Sequence, residues 1–251
     1  MNDQHDGITN QTSQAPDPGL LLTALTTEHF TLQGARSQTM SESSARALMY
    51  VVSLSTTLVA LGFIAQLDDI GRVFYVFALT VLPTLYLLGT VTFVRLVECD
   101  AEDFRYGMAI NRIRHHYKEL AGDRAGLFLL SGHDDGEGVF ANMGLPAAGR
   151  KPYFAFSSAV IVINSLLGGA TVALAVGAAL DAPLGLAAGV GGAIAIVSTL
   201  GWISYAGRRL ATAAATEPMF PSPPTHAADS PPQGQDSGHT GETSPVRIPG
   251  S

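Results

Sequence analysis

The sequence predicts an all-α integral membrane protein with four transmembrane helices arranged as two antiparallel hairpins, and with a cytoplasmic helical arm and loop. Three observations predict it. Apolar residues make up 47% of the 251 residues and charged residues 14%, against about 25% charged in ordinary soluble domains. Four mostly apolar stretches, 47–67, 73–94, 152–180 and 182–207, contain no Asp, Glu, Lys or Arg. Each reaches the roughly 20 residues that cross a hydrocarbon core of about 30 Å. The basic residues, finally, gather near one end of these stretches. A core helix in water carries charge on its outer face, and these stretches have no charged face at all.

Taken in chain order, residues 1–19 are polar and predict a disordered N-terminus. The first apolar run, Leu20 to Leu25, is too short for a secretory signal and has no basic residue before it. Residues 20–46 read as a helical arm with Leu22, Leu25, His29 and Leu32 on one side. Ser41 to Ser44 mark a place where a helix is capped or interrupted, and Glu42 favours a helix N-terminus there.

Residues 47–94 form the first hairpin, its spans joined by the short link from Asp68 to Arg72, which forces antiparallel packing. The span hydroxyls Ser53, Ser55, Thr56, Thr57, Thr80, Thr84 and Thr90 are cheap to bury because they bond their own helix carbonyls. Pro83 removes one ladder bond and predicts a kink.

Residues 95–151 form the cytoplasmic loop, which opens with Glu98, Asp100, Glu102 and Asp103 and turns basic through Arg105, Arg112, Arg114, Lys118 and Arg124. Ile110, Ile113, Tyr117 and Leu120 recur at three- and four-residue steps, the mark of an amphipathic helix, with Arg112, Arg114 and Lys118 away from the stripe. That helix is expected to continue from the second span. Its basic face reads either as a solvated face of a helix packed on its own protein, or as a contact for anionic lipid headgroups or a cytoplasmic protein partner.

His115 and His116 are adjacent, so they point about 100° apart and do not make the i, i+4 pair of a helical metal site. They read as surface histidines. The run Gly132 to Gly138, GHDDGEG, lacks the ligand spacing of a calcium loop and reads as a flexible polar connecting turn. Cys99 is the single cysteine, which leaves no disulfide framework and no CxxC site. It reads as an ordinary residue near a helix end.

Residues 152–207 form the second hairpin, turned at Asp181 to Pro183. Ser165, Gly169, Ala173 and Gly177 make a small-residue stripe on the third span, and Gly185, Gly189 and Ala193 another on the fourth. Such stripes let helix backbones approach closely in lipid, within the hairpin or between copies in a homo-oligomer. Asn164 needs partners for its amide, either as glue between helices or as a polar lining of a pore or ligand path. Residues 208–251 read as a disordered tail, since eight of the 14 prolines fall past Thr216 among Ser, Gly, Thr and Gln.

Arg36, Arg46, Arg95, Arg105, Arg112, Arg150, Lys151, Arg208 and Arg209 lie near span ends on one side, and Arg72 stands alone opposite. The positive-inside rule then puts both termini and the loop in the cytoplasm. Without charge in the spans, proton relays, voltage sensing and ion-coupled transport lack their usual residues. The chain has no P-loop, no GxSxG elbow and no HExxH. No catalytic, cofactor-binding or metal-ligating residue, no cofactor and no nucleic-acid partner is predicted, the nearest acid and histidine pair being His133 with Asp134. The function readings, in order, are a non-enzymatic membrane scaffold, sensor or effector acting through its cytoplasmic segments, a small oligomeric channel, and a membrane-embedded enzyme.

The segments ARSQTMSESSARALMYVVSLSTTLVALGF, INRIRHHY, SGHDDGEGVFANMG and INSLLGGA resemble a group of uncharacterised bacterial multi-pass membrane proteins. The likeness covers about Leu25 to Gly169 and implies a multi-pass protein of the bacterial inner membrane, with no activity to carry over. The layout of arm, hairpin and cytoplasmic helix is also similar in architecture to the SLATT-type membrane effectors of bacterial conflict systems.

Overall fold

A computed structural model describes residues 17–66, 70–144 and 155–223. Readings that fall on residues 1–16, on Asp68, Asp69, Arg150 and Lys151, and on 224–251 lie outside them. The described residues are helical without strands: α1 (Pro18–Ile64), α2 (Ile70–Ala121), a 3-10 turn (Gly122–Leu127), α3 (Gly136–Asn142), α4 (Ala155–Leu180) and α5 (Leu184–Ala214).

Four of these helices are long and apolar enough to cross a membrane. Only 11% to 33% of the most apolar part of each is covered by the rest of the protein. Leu48, Val52, Leu58 and Phe63 of α1, Val76 and Leu87 of α2, Leu166 of α4 and Val197 of α5 are all more than half exposed. In water that surface would oppose folding, whereas in hydrocarbon it costs nothing. The chain is a multi-pass membrane protein.

Asp17 caps α1, its carboxylate accepting from Gly19 N at 2.9 Å, and Pro18 fills the first turn where no N–H is needed. The helix then runs 47 residues without a break. The interruption expected at Ser41 to Ser44 does not occur. Ser43 is buried and Ser44 bonds the Met40 carbonyl. Glu42 is engaged by arginines of two helices and is not at a helix end.

The expected continuity of the second span with the cytoplasmic helix holds, α2 passing through Pro83 to a length of 52 residues. At 1.5 Å per residue, α1 and α2 extend about 40 Å past the apolar belt, packed along each other. Their pairing is antiparallel, because Arg36 meets Asp103, Glu42 meets Arg95 and Tyr117 reaches back to Thr26. Gly122, at φ 52°, ends α2 with the left-handed residue that glycine adopts without strain.

Contacts of α4 and α5 are antiparallel too, with Gly169 against Gly191 and Ser165 bonded to Ser198. Asp181 makes their turn at φ 47°, a conformation that Asp tolerates better than most residues. The central helix is α2, which touches α1, α3, α4 and α5. One apolar core lies in the belt around Tyr50, Leu82, Phe93, Leu96, Ile161 and Leu167. A second lies beyond it, where Phe104 and Met108 of α2 meet Val139 and Phe140 of α3 and Leu210 and Ala213 of α5.

Two boundaries change. The helical arm and the first span are one element, and α5 carries the chain to Ala214. The disordered tail expected from residue 208 therefore does not begin there, and residues 217–222 fold back onto α2 and the loop. Leu120, placed in the amphipathic stripe, is 61% exposed, because the stripe of Ile110 and Ile113 loses its cover at the far end of α2.

Candidate functional site

Inside the belt, the polar centre is Asn164, which is fully buried. Tyr50 Oη of α1 donates to its Oδ1 at 3.1 Å, and its Nδ2 donates to Thr90 Oγ1 of α2 at 3.1 Å. Thr90 Oγ1 in turn donates to the Tyr86 carbonyl at 2.9 Å. The chain of bonds ties α1, α2 and α4 together and satisfies groups that hydrocarbon would leave costly. Gly89 makes room for it, since a Cβ there would collide with Asn164 and with the Tyr50 ring. Tyr50 and Thr90 lie three and four residues from the charged ends of their apolar stretches. The cluster thus sits one helical turn inside the belt and spends its amide on protein.

The seam between α4 and α5 is made of small residues, but only one of the two predicted stripes lies in it. On α4, Ser165, Gly169 and Ala173 face α5 as expected. On α5 the seam is Ala187, Gly191, Ala195 and Ser198, while Gly185 and Gly189 meet nothing within 4 Å. Spacing alone leaves a Gly-rich helix with several such stripes, and the turn at Asp181 selects one. Gly177 also stands free of the seam.

At the edge of the belt the charges form a linked band. Arg95 of α2 grips Glu42 of α1 through Nε at 2.9 Å and Nη2 at 3.1 Å, while Arg46 reaches the same carboxylate at 2.8 Å. These bonds, Arg95 first and Arg46 next, pull the Glu42 carboxyl down to about 2. Arg95 also meets Glu98 at 3.4 Å and Glu102 at 3.3 Å, and Arg209 of α5 approaches Glu98 at 3.7 Å. Arg36 holds Asp103 at 2.7 and 3.1 Å. Asp100 turns the other way and accepts from Ser157 of α4 at 2.8 Å. Burial, helped by nearby Asp103 and opposed by Ser157, pushes its carboxyl up to about 6. Cys99 is buried in this band, 1% exposed, as an ordinary helix residue.

The most elaborate polar arrangement lies in the loop. The run around Asp134 is not the flexible turn expected, because Asp134 is completely buried. Its Oδ2 accepts from Arg112 Nε at 2.7 Å and from Met219 N at 3.0 Å, and its Oδ1 from Phe220 N at 2.7 Å. Burial alone would raise this carboxyl, yet the two N–H donors and the guanidinium outweigh it and hold it below the ordinary range. Asp135 caps α3 through Gly138 N at 2.8 Å and takes Ser222 N at 2.7 Å and Ser222 Oγ at 2.8 Å. Opposing burial, these donors lower it as well.

Around this pair, Asn111 Nδ2 donates to the His133 carbonyl at 2.8 Å, and Arg114 Nη1 donates to Asn111 Oδ1 at 2.6 Å and to the Ser131 carbonyl at 3.1 Å. Asn142 Nδ2 closes the set on Asn111 Oδ1 at 2.8 Å. The face of Arg112 and Arg114 is therefore turned onto the protein's own loop. His115 is no free surface histidine either, for its ring stacks on Phe220 with centroids 3.7 Å apart and planes 11° from parallel. His116 stays half-exposed and near Glu119. Among the described residues no group of three or more His, Cys, Asp or Glu is placed to hold a metal ion.

The residues missed by sequence reasoning are Asn111, Asn142 and the segment Met219 to Ser222. A single amide on a helix carries no pattern, and the segment's proline content reads as disorder. Comparison of the chain with family models, curated proteins and solved structures finds no match.

Proposed function

We propose that this protein is a non-enzymatic membrane scaffold, sensor or effector that acts through cytoplasmic segments. In this reading its spans form two hairpins in a bacterial inner membrane, and both termini and the loop face the cytoplasm. The observation that carries it is where the specific polar chemistry lies. The apolar stretches hold no Asp, Glu, Lys or Arg, while Arg36, Glu42, Arg95, Asp103, Arg112 and Asp134 are all engaged outside them. The basic excess at one end supports the orientation, and the resemblance to bacterial multi-pass proteins supports the compartment. The partners that fit are the bilayer itself, a cytoplasmic protein or anionic headgroups, and further copies of the chain.

Cysteine labelling tests the orientation, because the native Cys99 is buried and silent. Leu129 is 94% exposed in the loop, and Asp181 lies at the opposite end of the belt. In spheroplasts, an impermeant maleimide is expected to label Asp181→Cys at once and Leu129→Cys only after permeabilisation. The reverse pattern sinks the orientation. The enclosed Asn164 amide favours the structural role over a conducting path, so purified protein in liposomes is expected to pass no ions. A flux lost on Asn164→Leu would establish the channel instead.

A further inference from the structure

The segment after α5 is bound in the way proteins bind short peptides. Of its four residues Met219 to Ser222, the three with an N–H each place it on a carboxylate, two on Asp134 and one on Asp135. The fourth is Pro221, which has no N–H to place. The return bond runs from Asp134 N to the Phe220 carbonyl at 3.2 Å. Main-chain bonds of this kind supply affinity for any sequence, and side-chain contacts add selectivity. Here the selective contacts are Phe220 on the His115 ring and the Ser222 hydroxyl on Asp135.

Part of the cleft is held by bonds that its occupant does not make. Asp134 keeps the Arg112 guanidinium, Asp135 keeps Gly138 N, and Asn111 fixes the His133 carbonyl. Conversely, the segment adds nothing to either apolar core, and Met219 is 62% exposed. Its release uncovers polar groups that water can satisfy and leaves both apolar cores intact, so the opening is a local one. It is tethered to α5 through residues 215–218. So short a link gives a cis ligand a millimolar effective concentration and lets a free competitor enter only when it binds better or the tether lets go.

We propose that the cleft formed by Arg112, His115, Asp134 and Asp135 is a peptide-recognition site for an aromatic-proline-serine segment, occupied in cis by residues 219–222. Its partner is a protein segment that presents an aromatic residue, then proline, then serine, and that displaces the tail. Because the Asp135 carboxylate takes both the N–H and the hydroxyl of the serine, negative charge at that position is rejected. The site functions whichever side of the membrane it faces, so it stands apart from the orientation argued above.

The test uses the full-length protein in nanodiscs and a fluorescent peptide with the sequence of residues 216–224. In one protein the strap carries Phe220→Ala with Ser222→Glu, which opens the cleft. The peptide is expected to bind this opened protein at least about tenfold more tightly than wild type, where the strap competes. Adding Asp134→Asn to the opened protein, or Ser222→Glu to the peptide, is expected to abolish saturable binding. No saturable binding to the opened protein, or equal binding to both proteins, overturns the proposal. Hydrogen exchange of the unaltered protein adds a check that no variant's folding can confound. The amides of Met219, Phe220 and Ser222 are expected to be protected, and exchange at coil rates overturns the cis contact.

Discussion

Across the α4–α5 seam, Gly169 and Gly191 bring two backbones together with little more than small side chains between them, and a Cβ on either would strike the other's carbonyl. A few turns away, beyond the belt, α1 and α2 are held by Arg95 on Glu42 and Arg36 on Asp103. The first contact is made of shape and the second of charge. Lipid offers no hydrophobic force between helices, so close packing must hold them there. Water screens charge but rewards directional bonds, so helices outside the belt choose partners by arginine and carboxylate. The two regions should therefore fail under different insults.

The largest effect is expected from Gly191→Leu, which drives a branched side chain into the Gly169 carbonyl and Ala173. Overpacking of this kind costs about 3 kcal/mol or more where the backbone itself is struck. Thermal unfolding in detergent should show the loss equally at low and high salt. A strong salt dependence would break the comparison.

Asp100→Asn comes next and has the opposite sign. The folded carboxyl is raised to about 6 by burial. Its penalty is therefore full above pH 6 and fades as pH falls toward the ordinary carboxylate value near 3.8. The variant is expected to gain up to about 3 kcal/mol at pH 7.5, and the gain should shrink toward nothing at pH 4. Melting curves at the two pH values check this.

A smaller loss, about 1–2 kcal/mol, is expected for Asn164→Leu, which strands Tyr50 Oη and leaves Thr90 Oγ1 with only its bond to the Tyr86 carbonyl. It should be independent of pH between 5 and 8, since nothing in that cluster titrates in the range. Smallest is Glu42→Gln. The wild-type carboxyl lies near 2, so its stabilising contribution is present above about pH 4.5 and lost as pH falls through 2. The Glu42–Arg95 pair is about a third exposed, so the difference between wild type and variant should shrink sharply in 1 M salt. Persistence there would show that α1 and α2 are held by something other than charge.

Much of the fold was legible because hydrocarbon imposes a strict rule on sequence. Stretches without charge had to be spans, and Ile110 and Ile113 marked an amphipathic helix that was expected to continue from the second of them. The site was less so. His115, Asp134 and Asp135 stood out as residue types but read as surface and linker, since what gives them meaning is Phe220 and Ser222, about 85 to 105 residues further on. Asn164 was legible as a residue needing partners, though Tyr50 and Thr90 were only two hydroxyls among many. Of the two glycine stripes, period alone found the α4 face that meets α5, and on α5 a face that lies outside this seam.

The sequence by itself determined that this chain lives in a membrane with four apolar helices, because exclusion of charge over some twenty residues is a local property that needs no knowledge of neighbours. Tertiary structure alone decided which faces meet, why Arg112 and Arg114 turn inward, and that a proline-rich strap is bound rather than loose. Those outcomes depend on donors and acceptors far apart in the chain arriving within about 3 Å of each other, and no window along the sequence contains both partners.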